Sequence, residues 1–345
     1  MSQPSRHPVG TTTLDLADET RPSWRGAGPR PLLSEVWYPA IDDATETPQF
    51  AGSKHRPVFL AGRAAAGAPI RAGGYPLVLM SHGTGGLATH LAWLGTALAA
   101  AGFVCVAVNH HGNNALSPPD PRGFMLWWER ARDLSKVADL LLADTTFGPH
   151  LDAGAVAAVG FSLGGHTALL LAGARTDLAA FRAFCAGPDA DATCRDQVEF
   201  PGMRDKFARL AEHDEAVQAS LAASSQSYRD ERVRAVVALA PAMGGALTEE
   251  SVTPVQLPVR IVVGAADKVA PVKTNAGRMA RLLPNATLLV LPDVGHYTFL
   301  GVCTEFGSQK IPTFCDDPPG VDRTAVHRQV AAQTVRFLRK HLGLS

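Results

Sequence analysis

The stretch Gly160-Phe161-Ser162-Leu163-Gly164 decides the fold, because it places one serine between two glycines directly after an apolar run. That run, Ala155 to Val159, is typical of a buried strand, and His166 to Ala172 is typical of a helix. Between a strand and a helix, G-x-S-x-G forms a turn so tight that only small residues fit beside the serine. The turn exposes the Ser162 hydroxyl and directs the first helical amides at its target. A serine in an ordinary loop is the alternative.

Length and composition indicate a large globular chain without a dominant charge. The 345 residues could form one domain or two, and we expect a single domain over 1–345. Apolar residues make up 46% and charged residues 19%, which is enough for a sizeable core. Lys+Arg and Asp+Glu both number 32, so no net field attracts nucleic acid or an anionic membrane. No apolar run is long enough to span a bilayer. Residues 1–10 lack the apolar core of a signal peptide, as they also would after removal of a signal.

From residue 75 onward, uniformly apolar runs alternate with helical patterns. Such strands require a parallel sheet with helices on both faces, so the fold class is α/β. Upstream, Thr11 to Leu16 is a possible edge strand, Leu32 to Tyr38 is a further strand, and 41–74 resembles a connection with at most short helices. The later strands are predicted at 75–80, 103–108, 155–159, 233–240, 259–263 and 287–291, and the later helices at 90–101, 127–143, 273–283 and 325–342.

Residues 176–230 interrupt this alternation. The segment is polar, has helical patterns and carries no strand signal. It lies between the helix after Ser162 and the next strand. We therefore expect a helical cap or lid insertion near the mouth of the site.

A serine hydroxyl becomes a good nucleophile only when a base takes its proton and a third group orients that base. Asp267 follows the predicted strand 259–263, and His296 follows the strand 287–291, which is the chain order that this architecture uses. A turn-capping aspartate and a surface histidine are the alternative interpretations. Asp293 is a weaker candidate acid because it lies only three residues before His296.

Two other places for the base and the acid are less favourable. His82, His110 and His111 all precede Ser162, which is the wrong order for the base. In some related folds the acid follows the preceding strand, but here the strand 233–240 is followed by Pro241-Ala242-Met243 without a carboxylate.

The turn Ser81-His82-Gly83-Thr84-Gly85-Gly86 is the candidate oxyanion hole. An H-G-x-G turn after a strand presents a backbone N–H to a substrate carbonyl, so we assign the donors as the amides of Thr84 and Leu163. A glycine turn without this role is the alternative. We also expect Phe161, Trp127 and His82 to contact substrate, although a core position is as good an interpretation for Trp127.

The stretch Asn109-His110-His111-Gly112-Asn113-Asn114 raises the possibility of a metal site. Adjacent histidines at a strand end point to opposite sides, and no acidic or cysteine ligand with suitable spacing is nearby. A turn that shapes the pocket is the better interpretation, so no metal is predicted.

The five cysteines lack the C-x-x-C spacing of zinc and redox sites. Cys185 and Cys194 enclose one short loop-like segment, and Cys303 and Cys315 enclose another, whereas Cys105 lies in a buried strand. Two local disulfides would place the protein in an oxidising compartment, the periplasm or outside the cell. Four unpaired thiols in the cytoplasm are the alternative.

The chain resembles the α/β-hydrolase superfamily, and within it the bacterial predicted dienelactone hydrolases, which are related to platelet-activating-factor acetylhydrolases. The matching stretches are Glu35 to Pro39, Leu79 to Gly86, Val108 to Asn113, Gly160 to Gly165 and Gly295-His296. The resemblance implies an eight-stranded, mostly parallel sheet and serine-based ester hydrolysis without a cofactor.

Two departures from these relatives limit what can be transferred. Dienelactone hydrolases use a cysteine nucleophile where this chain has Ser162, and the acetylhydrolases place their acid after the earlier strand. The expectation is therefore a serine carboxylesterase acting on neutral, moderately hydrophobic small-molecule esters. An amidase or peptidase with the same machinery is one alternative, and a non-catalytic ligand-binding member of the fold is another.

Overall fold

The computed structural model describes residues 6–53, 55–197 and 200–344. Residues 1–5, within the polar N-terminal segment, and 198–199, within the predicted cap, lie outside the described residues. The strands are β1 (Val9–Leu14), β2 (Ala17–Pro22), β3 (Pro29–Pro31), β4 (Ser34–Pro39), β5 (Thr47–Ser53), β6 (Arg56–Ala66), β7 (Tyr75–Ser81), β8 (Val104–Val108), β9 (Leu151–Phe161), β10 (Val233–Leu239), β11 (Val259–Gly264), β12 (Ala286–Leu291) and β13 (Val302–Cys303). The helices are α1 (Ala92–Ala100), α2 (Pro121–Met125), α3 (Glu129–Ala143), α4 (Leu163–Leu171), α5 (Leu178–Ala186), α6 (Met203–His213), α7 (Glu215–Ala222), α8 (Glu249–Val252), α9 (Ala276–Leu282), α10 (Glu305–Lys310), α11 (Pro312–Cys315) and α12 (Arg323–Leu342).

One large sheet organises the described chain. Its strand order is β12-β11-β10-β9-β7-β8-β4-β1-β6-β13, and β5 pairs with β6. The first six strands of this order, from β12 to β8, run parallel to one another. Strand β4 is antiparallel to both of its neighbours. Strands β2 and β3 form a separate two-stranded sheet.

The central strands are buried on both faces. Every residue of β7 and β8 is buried, as are residues 155–161 of β9. Helix α1 packs on α12, α3 packs on α4, and both pairs contact the sheet. These strands read as continuous apolar runs because helices cover both faces. No helix within the described ranges is both long and apolar enough to cross a membrane.

The sheet differs from the expected one at its N-terminal end. Within the described residues it has eleven strands, not eight, because β5, β6 and β13 extend it beyond β1. The segment 41–74, predicted as a connection, forms the β5–β6 hairpin. Strand β1 is not an edge strand, since it lies between β4 and β6. The hairpin escapes sequence patterning because its register shifts twice, which breaks the period-2 alternation.

The parallel strands bring four loops to one edge of the sheet. Strands β7, β9, β11 and β12 are followed at that edge by the loops carrying Thr84, Ser162, Asp267 and His296. In parallel sheets, the carboxyl ends of the strands are where ligand sites form. The predicted residues therefore converge although they are up to about 210 positions apart in the chain.

Candidate active site

Ser162 occupies the turn between β9 and α4 in a conformation that side chains rarely adopt. Its φ is 56° and its ψ is −119°. A Cβ on Gly160 would overlap the carbonyl oxygen of Gly164, and a Cβ on Gly164 would overlap that of Ser81. The Ser162 N–H donates to the Leu239 carbonyl of the neighbouring strand at 2.9 Å. The glycine spacing therefore exists because the backbones of strand, turn and helix nearly touch.

His296 connects Ser162 to Asp267. Its Nε2 lies 3.0 Å from Ser162 Oγ, and its Nδ1 lies 2.7 Å from Asp267 Oδ2. The carboxylate can only accept at its oxygen, so Nδ1 carries the ring proton and Nε2 accepts from the serine hydroxyl. All three residues are at most 5% exposed. This arrangement has the geometry needed to take a proton from the serine.

Backbone groups of the loop after β11 orient the carboxylate of Asp267. Asp267 Oδ1 accepts hydrogen bonds from the N–H groups of Val269 at 2.9 Å and Ala270 at 2.7 Å, which leaves Oδ2 for His296. The alternative acid, Asp293, is exposed and has a φ of 58°. The geometry thus brings Asp267, rather than Asp293, to the histidine.

The loop after β7 is held in place by two asparagines. The Gly85 N–H donates to Asn113 Oδ1 at 2.5 Å, and the Ala88 N–H donates to Asn109 Oδ1 at 2.9 Å. The amide nitrogen of Asn113 donates to the Gly123 carbonyl at 2.9 Å, which fixes the orientation of its side chain. The stretch interpreted as a turn that shapes the pocket therefore also positions the loop of Thr84.

A buried polar network lies beneath the same loop. The Arg130 guanidinium donates to the His82 carbonyl and, at 3.2 Å, to Ser81 Oγ. Ser81 Oγ also lies 2.9 Å from His110 Nε2, and His110 Nδ1 lies 3.0 Å from Asp133 Oδ2. Burial and the charge of Arg130 lower the pKa of His110 to about 3, so this ring is neutral.

Asp133 anchors the network through two further arginines. Arg21 and Arg30 bind its Oδ1 at 2.6 Å and 2.7 Å. Burial by itself would raise the pKa of Asp133, but these two guanidinium groups outweigh it and hold the pKa well below the usual range. The carboxylate is therefore ionised and compensated, as a buried charge must be.

Two cavities meet at Ser162. The first, of about 760 Å³, is bordered by the β5–β6 hairpin, the Thr84 loop and His296. The second, of about 650 Å³, is bordered by Leu163, α2 and residues of 192–204. Thr84, Ser162 and Phe314 are among the residues that border both cavities. Volumes of this size are typical of small-molecule sites.

The three predicted substrate contacts have different positions. Phe161 borders the first cavity and packs on His296 with a centroid distance of 4.9 Å. Trp127 borders the second cavity, and its Nε1 donates to the Phe124 carbonyl at 2.7 Å.

The position of His82 contradicts the prediction. His82 is fully buried and borders neither cavity. Its ring turns beneath the loop, where Nδ1 donates to the Gly83 carbonyl at 2.6 Å and Nε2 accepts from the His110 N–H. Burial, reinforced by Arg130, lowers its pKa well below the usual value. His82 therefore supports the loop from below instead of contacting substrate.

The cysteines pair as predicted. Cys185 is bonded to Cys194 and Cys303 to Cys315, while Cys105 is free and buried. The second bridge ties β13, which pairs with β6, to α11. Ile311 and Phe314, between the two cysteines in the chain, border both cavities, so this bridge braces a shared wall.

The adjacent histidines are both engaged with protein groups. His110 is bound in the buried network, and His111 Nε2 accepts from the Trp24 N–H at 3.0 Å. Among the described residues, no group of three or more His, Cys, Asp or Glu side chains is arranged to hold a metal ion.

Sequence reasoning gave no role to Arg130 or Asp133, and it placed Asn109 and Asn113 only within a turn that shapes the pocket. For the two charged residues a signal was present. Arg130 shares its helix face with Leu134, Val137 and Leu141, which form the buried stripe of α3. A charge within an apolar stripe indicates a buried, compensated ion.

Comparison with known proteins gives similarity at three levels. The model of the alpha/beta hydrolase family matches residues 77–301. Cutinase est1 of Thermobifida alba is 35% identical over 108 residues, which are 31% of this chain and 33% of that protein. Cutinase cut1 of Thermobifida fusca is 33% identical over 108 residues, with 31% of each chain covered. The match thus spans about a third of these curated relatives.

A solved structure shares the fold over nearly the whole chain. The ferulic acid esterase of Streptomyces cinnamoneus superposes with a TM-score of 0.66 and 21% identity, covering 99% of this chain and 92% of the other. The family match covers more than half of the chain and includes the loops of Thr84, Ser162, Asp267 and His296. The chain therefore belongs to the alpha/beta hydrolase family.

Proposed function

We propose that the protein is a serine carboxylesterase that works through an acyl-enzyme. The hydrogen-bonded series Asp267–His296–Ser162 carries this proposal, because its three residues have the separations, burial and orientation that nucleophilic catalysis requires. The cutinases and the ferulic acid esterase support it as similar proteins whose names denote ester hydrolysis.

In the first half-reaction His296 Nε2 takes the proton of Ser162 as Oγ attacks the ester carbonyl carbon. Asp267 stabilises the imidazolium that forms. The N–H groups of Thr84 and Leu163 bind the oxyanion, and each contributes about 3 kcal/mol of transition-state stabilisation. The intermediate then collapses, the carbon–oxygen bond to the alcohol breaks, and His296 returns the proton to the leaving oxygen.

In the second half-reaction a water molecule replaces the alcohol. His296 takes a proton from this water as its oxygen attacks the acyl-enzyme carbonyl, and the same amides bind the second oxyanion. Collapse breaks the bond to Ser162 Oγ, which regains its proton from His296. The products are the free acid and the original enzyme, and no cofactor takes part.

The preferred substrates in this proposal are neutral, moderately hydrophobic small-molecule esters. Apolar atoms supply most of the lining surface of both cavities. Segment 176–230 would act as a cap, and in support of this Gln197, Phe200 and Met203 border the second cavity. The two disulfides suit an oxidising location, outside the cytoplasm.

The test compares purified wild-type protein with Ser162→Ala on matched ester and amide pairs of the same acyl group. We expect ester hydrolysis by the wild type, a loss of several orders of magnitude in kcat for the variant, and phosphonate labelling of Ser162 alone. Retention of more than about a tenth of the wild-type activity, in a variant with an unchanged melting temperature, would refute the nucleophile. Faster cleavage of the amides would instead indicate an amidase.

A further inference from the structure

The two cavities at Ser162 differ in which catalytic group they reach. His296 borders the first cavity and is absent from the wall of the second, while Leu163 borders the second and is absent from the wall of the first. Ser162 and Thr84 border both. Both cavities therefore reach the nucleophile and one oxyanion donor. Only the first cavity reaches the histidine, and only the second reaches the other donor.

This asymmetry matters because only one half of an ester needs the histidine directly. When the tetrahedral intermediate collapses, the alcohol oxygen leaves with the electron pair of the broken bond and must receive the proton from His296 Nε2. The acyl carbonyl oxygen instead remains between the two amides throughout. The leaving oxygen must therefore point towards the cavity bordered by His296.

We propose that the first cavity holds the leaving alcohol and the second cavity holds the acyl group. This assignment rests on the proposed esterase function and adds its substrate class, esters with a sizeable apolar group on both sides of the carbonyl. A volume of about 760 Å³ on one side and about 650 Å³ on the other accommodates such groups.

The alcohol cavity has a strongly aromatic lining. Within the described residues the rings of Phe50, Phe59 and Phe161 border this cavity and not the second, and it shares the rings of Phe200, Tyr297 and Phe314 with the second cavity. Aromatic rings bind other rings edge-on or offset with a gain beyond simple area burial. The lining therefore favours esters of aryl or arylalkyl alcohols over those of short alkyl alcohols.

The acyl cavity is apolar near Ser162 and carries charge at its rim. Met125, Trp127 and Met243 border it, and Trp127 packs edge-on against Phe181 with a centroid distance of 5.2 Å. The exposed side chains of Arg195 and Lys310 also border this cavity. An acyl group with an apolar body suits this side.

Two truncations outside the catalytic machinery test the assignment. Phe50 is 51% exposed and borders only the alcohol cavity, and Met125 is partly buried and borders only the acyl cavity. Phe50→Ala and Met125→Ala are assayed on four esters that cross ethyl or naphthylmethyl alcohol with butyrate or phenylpropionate. A pH-stat gives kcat/KM, and quenched-flow with mass spectrometry gives the rate at which the acyl-Ser162 enzyme is hydrolysed.

We expect Phe50→Ala to lower kcat/KM about fivefold for naphthylmethyl esters, with less than about a twofold effect on ethyl esters. It should leave acyl-enzyme hydrolysis unchanged, since the alcohol has already left. Met125→Ala should lower kcat/KM about fivefold for phenylpropionates with either alcohol, and it should change the hydrolysis rate of that acyl-enzyme.

The opposite pattern, with Phe50→Ala altering acyl-enzyme hydrolysis and Met125→Ala responding to alcohol size, would overturn the assignment. So would an absence of any response in both variants. If no acyl-Ser162 enzyme forms with the wild type, the proposed function itself fails, and that result is distinguishable from either pattern.

Discussion

Asp267→Asn is the substitution whose effect the geometry defines most fully. Asp267 Oδ1 accepts from two backbone N–H groups, and Oδ2 accepts from His296 Nδ1. In the variant, the amide oxygen must keep the Oδ1 position, because an NH₂ group there would face two donors. The NH₂ group then faces Nδ1 and donates to it. The ring proton moves to Nε2, which can no longer accept the proton of Ser162.

The size of the effect follows from the cost of restoring the productive tautomer. Turning the introduced side-chain amide around would leave two buried N–H donors unsatisfied, at about 1–3 kcal/mol each. A total near 5 kcal/mol corresponds to about 10⁴ in rate, which is the loss expected for a wrong histidine tautomer. We therefore expect kcat on an activated ester to fall about 10⁴-fold with the melting temperature nearly unchanged.

Asp293→Asn is the matched control. Asp293 is exposed, and its φ of 58° lies in the left-handed region, which asparagine tolerates as well as aspartate. Steady-state kinetics on one ester should show less than about a twofold change for this variant. If kcat fell by less than about 100-fold in Asp267→Asn, or fell further in Asp293→Asn than in Asp267→Asn, the acid would have been assigned to the wrong residue.

Three further predictions concern the surroundings of the site. Thiol titration of the denatured, non-reduced protein should find one free thiol, and five free thiols in protein from an oxidising compartment would refute both bridges. Replacing Cys303 and Cys315 by serine should lower the free energy of unfolding by about 2–3 kcal/mol and reduce activity. Asn113→Ala removes the acceptor of the Gly85 N–H and should lower kcat about tenfold with little change in KM, whereas a change in KM alone would contradict a role in positioning the oxyanion loop. Burial lowers the pKa of His166 to about 4, below its unfolded value of 6.5. Between pH 4 and pH 6.5 this histidine therefore binds a proton more readily in the unfolded chain, and the folded state loses stability as the pH drops through that range. His166→Gln should remove about 3 kcal/mol of that loss in urea unfolding at pH 7 and pH 4, and an unchanged pH dependence would contradict it.

The parallel strands and the turn at Ser162 could be predicted because the structure there strongly restricts which residue types fit. Gly160 and Gly164 are required by backbone contacts, so their spacing around Ser162 carries structural information. That Asp267 and His296 lie close to Ser162 could be expected because loops after parallel strands meet at one edge of the sheet. Burial on both faces made those strands uniformly apolar and therefore recognisable.

The features that escaped prediction depend on contacts between distant parts of the chain. The β5–β6 hairpin contains Pro48 and Gly52 and two register shifts, so its strands show no regular alternation. His82 was expected to contact substrate, but chain position does not tell which way a loop side chain turns. Its orientation is set by the Arg130 network, whose members Arg21 and Arg30 lie about 100 residues before α3.

The backbone conformation of Ser162 implies a conflict between thermal stability and catalytic activity. A φ of 56° with a ψ of −119° costs a residue with a side chain on the order of 1–3 kcal/mol, and glycine is largely free of that cost. Ser162→Gly should therefore unfold at a higher temperature than the wild type while lacking the proposed nucleophile. Variants selected for thermal stability alone should accumulate this substitution. Any attempt to raise the melting temperature of the protein must therefore select for catalytic activity at the same time.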